Sequence, residues 1–198
     1  MNKQALDNTT LAQLFTEART HNRWQPRAID AETLHRLYEV VKWAPTSMNT
    51  NPVRFVFVTS KEAKERLRPA LAAGNIEKTM AAPLTVIVAS DPKFYEQLSV
   101  LFPAYPNACE MYRDKPEWAA ETAFRNSSMQ GAYLILAARA LGLDCGPMSG
   151  FENARVDAEF FADNGYRSNF LINIGYAGEN STHPRGPRLS FEQAVQIL

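Results

Sequence analysis

A surplus of charge of one sign, clustered histidines, a cysteine framework and the common nucleotide-binding signatures are all missing from this sequence, and each absence removes a class of function. Lys+Arg and Asp+Glu both number 21 in 198 residues. No basic surplus therefore argues for nucleic acid, and no basic amphipathic run argues for a membrane surface. The three histidines, His21, His35 and His183, lack metal-ligand spacing, which speaks against a catalytic zinc and gives no metal site. The two cysteines, Cys109 and Cys145, lie in separate segments, and a reduced pair is expected. No Gly-x-Gly-x-x-Gly, phosphate loop or Gly-x-Ser-x-Gly elbow occurs. No apolar leader follows Met1, so a cytoplasmic location is expected. With neither repeats nor low-complexity tracts, residues 1–198 read as one domain with a substantial core.

What is present is organised around Pro116 to Gly150. Proline at a first helical position with Glu117 behind it opens a helix that runs to Leu141, where Gly142 supplies a left-handed terminator. About 25 residues at 1.5 Å each span about 37 Å. The run Ala132 to Ala138 is apolar on every face and is expected to be enclosed on all sides; it is too short for a bilayer. The preceding turns carry Arg125, Asn126, Ser127, Ser128 and Gln130, a polar segment that suits a ligand or a partner subunit. Beyond the helix, glycines between Gly142 and Gly150 permit a close backbone approach to a flat ligand.

Around this helix the spacing of apolar residues predicts a helix over Leu11 to Ala18 capped by Thr9 or Thr10, and a second one capped by Asp30 with a Leu34, Leu37, Tyr38, Val41 stripe. Strands are expected at Val53–Val58, Leu84–Ala89 and Ser168–Tyr176, the second buried on both faces. Lys61 to Leu71, Asp91 to Leu101 and Asn153 to Phe161 read as helices, 102–116 as an irregular lid or insertion. Ser190 and Gln193 form a capping box for a last helix. Helices outnumber and intersperse with strands, which predicts an α+β fold with a mixed sheet wrapped by helices.

Two short stretches stand out chemically. Arg19-Thr20-His21-Asn22-Arg23 suits an anion with many oxygens; it equally suits a solvated helix end. Pro45-Thr46-Ser47-Met48-Asn49-Thr50-Asn51-Pro52 has binding-loop chemistry, and turn chemistry explains it as well. With arginines near both ends and no set of catalytic side chains, the pattern fits a holder for a phosphorylated flat cofactor that carries the chemistry.

The residues resemble the FMN-dependent nitroreductases, and most closely their malonic semialdehyde reductase branch of bacterial pyrimidine utilisation. The likeness is collinear through Ala18-Arg19-Thr20-His21-Asn22, Lys42-Trp43-Ala44-Pro45-Thr46-Ser47, Gly74-Asn75, Phe124-Arg125-Asn126-Ser127-Ser128-Met129-Gln130, Gly146-Pro147-Met148-Ser149-Gly150 and Asn173-Ile174-Gly175-Tyr176. It implies a homodimer with FMN at the subunit interface and the central helix within that interface. It implies that Arg19, His21, Arg188 and Arg185 hold the phosphate, that Asn75 and Lys78 meet the isoalloxazine edge, and that Arg23 lies near its pyrimidine end. Pro45, Thr46, Ser47 and Asn49 match the loop that reaches the other subunit's flavin; Pro147, Met148, Ser149 and Gly150 match the backbone beside the reactive ring. His21 replaces a serine common in the family, and Ser149 a glutamate.

The activity so implied is ping-pong hydride transfer from NADPH or NADH through FMN to a small-molecule acceptor, malonic semialdehyde giving 3-hydroxypropanoate. No protein side chain is assigned as catalytic. Arg125 is the candidate for the substrate carboxylate, with pairing to a carboxylate at the dimer interface as its equal alternative. A broad nitro- or quinone reductase and a flavin-binding module without turnover are the competing functions.

Overall fold

The structure, a computed structural model, describes residues 4–198. Asp7 caps α1 (Asn8–Leu11) by accepting from the Thr10 amide at 2.8 Å, and the helix widens into a π-turn over Ala12–Thr16. The cap is thus Asp7 and not Thr9 or Thr10: its carboxylate reaches the free N–H groups of the first turn. Asp30 caps α2 (Ala31–Val41) as expected. Strand β1 (Val53–Val58), α3 (Lys61–Leu67), α4 (Ala73–Ala81) and β2 (Leu84–Ser90) follow. Next come α5 (Leu98–Leu101), α6 (Glu110–Arg113) and the long α7 (Pro116–Ala140). Gly142 ends it at φ +76°. Strand β3 (Asp144–Met148), α8 (Asn153–Phe160), β4 (Arg167–Gly175) and α9 (Phe191–Ala194) complete the chain.

The four strands form one sheet in the order β1-β2-β4-β3, and every strand pair is antiparallel. Its parallel element is the bridge Thr20↔Cys145, which lays the N-terminal segment along the β3 edge. Strand β2 is buried on both faces, as its apolar run predicts. Leu84, Val86 and Val88 meet α2 and α7 through Leu37, Val41, Leu134 and Ala138. Ile87 and Ala89 on the opposite face meet Leu67, Val156 and Phe161 of the α3–α8 layer. Helices therefore cover both sides, an α+β architecture.

Strand β3 falls inside the stretch read as a glycine-bracketed loop. Its Gly146 and Pro147 are depleted from strands generally, but Pro is tolerated where no second neighbour needs its N–H, and β3 is a sheet edge. The segment 102–116 is no free lid. Tyr112 is buried with its ring 4.9 Å from Phe94 and 4.4 Å from Trp118, closing a small core with Leu98, Ala119 and Ala123. The central helix is also less enclosed than its composition suggests. Leu134, Ala137 and Ala138 are buried, whereas Ala132 and Tyr133 are exposed. No helix among the described residues is long and apolar enough to cross a membrane.

Lys64 is 4 % exposed, and its ammonium donates to the carbonyls of Thr79 (2.7 Å) and Ala82 at the end of α4. Burial pushes its pKa down from 10.5 to about 8. Between those values the unfolded chain holds more protons than the folded one, so stability rises with pH across that window. At 1.36 kcal/mol per unit the gain is on the order of 3 kcal/mol. Denaturant unfolding at stepped pH should show this rise in the wild type and a flatter profile in Lys64→Met; matching profiles would remove Lys64 as its source.

A basic cavity beside the sheet edge

The arginines near the two chain ends meet at the β3 edge. The Thr20↔Cys145 bridge and the Trp24↔Ala177 bridge fix residues 20–24 beside β3 and the end of β4. There the Arg19 guanidinium donates to the His183 carbonyl, and Arg185 Nη2 donates to the Ala18 carbonyl at 3.3 Å. Asn22 Nδ2 lies 2.9 Å from His183 Nε2. These contacts close a cavity of about 660 Å³ walled by Arg19, Lys78, Arg139, Arg185 and Arg188. No carboxylate lines it. Five cations converging without a counter-ion are the donor set of an oxyanion site, with the planar guanidinium forks suited to phosphate.

Arg139, in the last turn of α7, was not among the residues singled out by sequence. It donates from Nη1 to Leu14 O at 2.9 Å while Gln13 Nε2 donates to Arg139 O at 2.7 Å, which ties the π-turn to the central helix. Its only sequence signal is a cation in a last helical turn. His21 lines the same cavity, but both ring nitrogens are already engaged. Nδ1 is 2.8 Å from Ser181 Oγ and Nε2 is 3.3 Å from Asp144 Oδ1. Burial lowers its pKa, opposed by Asp144 and reinforced by Arg19 and Arg139. The ring braces residues 20–22 against β3 and the 181 turn.

The glycines after the central helix serve protein contacts. A Cβ on Gly146 would strike the His21 carbonyl, and one on Gly150 would lie 2.5 Å from Asn75 Nδ2. Gly146 thus admits the N-terminal segment, and Gly150 admits Asn75, whose Nδ2 donates to Gly150 O at 2.7 Å. Both glycines are thus explained by close contacts within the protein. Met148 Sδ accepts from Thr79 Oγ1 at 3.6 Å, and Trp24 Nε1 donates to Lys78 O at 3.0 Å. Helix α4, which carries Asn75 and Lys78, is therefore locked to both the 20–24 segment and the segment 147–150.

Pro147 lines the basic cavity and also a second pocket of about 460 Å³. Met148, Ser149, Phe124, Ser128, Asn169 and Phe170 complete that second lining, which holds no charged group. A cationic, anion-binding end and an uncharged end thus adjoin across one strand. That pairing fits a flat molecule with a phosphate tail.

Other residues named from the sequence lie elsewhere. Arg23 is exposed and lines neither space. Pro45, Thr46, Ser47 and Asn49 precede β1, on the sheet edge opposite β3. Three strand spacings of about 4.8 Å put those edges roughly 14 Å apart. Arg125 projects from an exposed face of α7 and pairs with Glu121 one turn away. The carboxylate it meets is on its own helix. Among the described residues no group of His, Cys, Asp or Glu could hold a metal ion.

A family model described as "Nitroreductase family" matches residues 16–176. Among solved structures, a proposed nitroreductase from Exiguobacterium sibiricum 255-15 in complex with FMN is 22% identical with TM-score 0.84, covering 100% of both chains. CLA-ER, an enone reductase of gut-bacterial fatty acid saturation, is 22% identical with TM-score 0.83, covering 98% of this chain and 100% of its own. A proposed NAD(P)H:FMN oxidoreductase from Staphylococcus epidermidis ATCC 12228 is 19% identical with TM-score 0.83, covering 100% of both. At such identities these likenesses establish the shared fold.

Proposed function

The chain belongs to the nitroreductase family, and on that premise we propose that it is an FMN-dependent NAD(P)H oxidoreductase, a cytoplasmic homodimer whose residues 1–198 form one flavin-holding domain. The observation that carries this reading is the carboxylate-free cavity with five cations adjoining an uncharged pocket. Bound FMN would supply hydride transfer between a nicotinamide, NADPH or NADH, and an acceptor. Arg19, Arg188, Arg185 and Lys78 would hold its phosphate end by charge-assisted hydrogen bonds. Arg139 adds positive potential behind them. The backbone from Pro147 to Gly150, fixed by Asn75 and Thr79, would lie against the ring. Phe124, Met148 and Phe170 would give the neighbouring pocket an apolar wall. No histidine, cysteine or carboxylate lines that pocket, so the proton for the acceptor oxygen comes from water.

The resemblance of the motif set points to malonic semialdehyde as acceptor, with 3-hydroxypropanoate as product. Arg125 is then the residue for its carboxylate, released from Glu121 on binding. A second reading, a broad nitro-, quinone or enone reductase, is favoured by the uncharged lining, which offers a carboxylate no partner within one copy. Steady-state kinetics on Arg125→Leu with malonic semialdehyde and an uncharged quinone decide between them. Carboxylate recognition predicts a loss in kcat/KM of about tenfold or more, near 1.4 kcal/mol, confined to the semialdehyde. Unchanged semialdehyde turnover, or faster quinone turnover in both proteins, assigns the second reading. A yellow wild-type protein that NAD(P)H does not bleach would reduce the molecule to a flavin binder.

A further inference from the structure

Two amide side chains in the polar segment of α7 face neither solvent nor either cavity. Asn126 and Gln130, one helical turn apart, are 2 % and 3 % exposed. Asn126 Oδ1 accepts from the Ser47 amide at 2.8 Å while its Nδ2 donates to Thr122 O at 2.8 Å. Gln130 Oε1 accepts from the Val53 amide at 3.1 Å, and its Nε2 donates to Asn51 Oδ1 at 3.2 Å. Both amide side chains are therefore engaged at both ends, and each clasps the loop before β1.

That loop needs clasping. Met48, Asn49 and Asn51 hold φ of 51°, 52° and 39°, a region that side-chain-bearing residues enter at a cost and keep only when their surroundings over-determine it. Within the loop Asn51 Nδ2 donates to Asn49 O at 2.9 Å and the Asn51 amide donates to Thr46 Oγ1 at 3.2 Å, while Asn49 Nδ2 reaches out to donate to Leu101 O at the end of α5 at 2.7 Å. Those bonds shape the loop. Asn126 and Gln130 tie it at both ends to the longest rigid element of the fold, and they leave Pro45, Ser47 and Asn49 exposed.

We propose that Asn126 and Gln130 are positioning residues for cofactor binding: they hold the 45–52 loop in a strained, pre-organised form so that its outward groups meet the flavin of a second copy without further ordering. This rests on the flavin reading above. A loop that must be ordered on binding weakens affinity by that ordering; a loop ordered in advance does not.

The test uses full-length Asn126→Leu and Gln130→Met, near-isosteric changes that remove the clasping oxygen, beside Asn126→Asp, which keeps it. Two quantities are read: FMN dissociation constant by fluorescence quenching, and amide hydrogen exchange over residues 46–53 in the flavin-free protein. Expected are a rise of about tenfold or more in the FMN dissociation constant for the Leu and Met variants, faster exchange at Ser47 and Val53, and recovery to within about threefold in Asn126→Asp. Faster exchange with unchanged FMN affinity overturns the proposal, as does unchanged exchange. Should Asn126→Leu fail to fold, Gln130→Met carries the same expectation. A wild type that binds no FMN in the same titration sinks the flavin reading, and this inference with it.

Discussion

Arg19→Ala should weaken FMN binding by roughly 10- to 150-fold, the equivalent of a charge-assisted hydrogen bond of about 1.5–3 kcal/mol, while leaving riboflavin binding nearly unchanged. The selectivity follows from the cavity. Its five cations face no carboxylate, so removing one leaves no unpaired acid behind, and the loss falls on the ligand's charge. Arg19→Ala combined with Arg188→Ala should cost about as much again, with a weaker dependence on salt. Arg23→Ala offers the internal control: Arg23 lines neither space, so FMN affinity should change little. Titration of flavin-free protein with both ligands gives the answer. Equal losses for FMN and riboflavin would attribute the effect to a displaced Arg19–His183 contact instead of a phosphate contact.

Met129→Asp with Tyr133→Asp should convert the proposed dimer to monomer at micromolar concentration and lower FMN affinity by more than about 100-fold. Both side chains lie on the uncovered side of α7, where Phe124 is 59 % exposed, and Trp43, ahead of the 45–52 loop, is 80 % exposed. Large apolar side chains left exposed on one element favour an interaction site there, and a stable interface buries about 1,200–2,000 Å² in total. Placing two carboxylates there would desolvate unpaired charge. The flavin effect follows because Pro45, Thr46, Ser47 and Asn49 lie on the opposite sheet edge from the basic cavity, so one copy presents only part of the set. Light scattering coupled to size exclusion, with absorbance read on each peak, measures both quantities at once. A wild-type monomer that carries stoichiometric flavin would contradict this assembly.

The fold was largely legible where local chemistry is self-sufficient. Pro116 and Gly142 bracket α7, Asp30 and Ser190 cap their helices, and the apolar run of β2 is buried on both faces. It was illegible where tertiary contacts override propensity. Strand β3 hides behind Gly146 and Pro147 because only its place at an edge makes them acceptable. Asp7 is hard to recognise as the cap because two threonines follow it at plausible positions. The last helix is confined to Phe191–Ala194, and the apolar Val195 and Leu198 beyond it stay exposed.

The candidate site divides the same way. The sequence shows Arg19 and Arg188 as separate basic stretches; only the packing of residues 18–22 against 181–185 brings them to one cavity. Arg139 enters that cavity from the end of a helix, where a cation in the last turn has an ordinary local explanation and does not by itself point to a site. Asn126 and Gln130 read as outward-facing polar residues because hydrogen-bonding side chains in a long helix ordinarily face water or a partner. The amides they clasp belong to a loop some 80 positions earlier, and no local pattern reports that.

The most direct test of the basic cavity as a phosphate site is the ratio of FMN to riboflavin affinity in the wild-type protein, measured by fluorescence quenching at low ionic strength. With two or more charge-assisted hydrogen bonds to the phosphate, FMN should bind at least about 100-fold more tightly, and the ratio should shrink as salt is added. Equal affinity for the two flavins, or affinity for neither, would contradict the account.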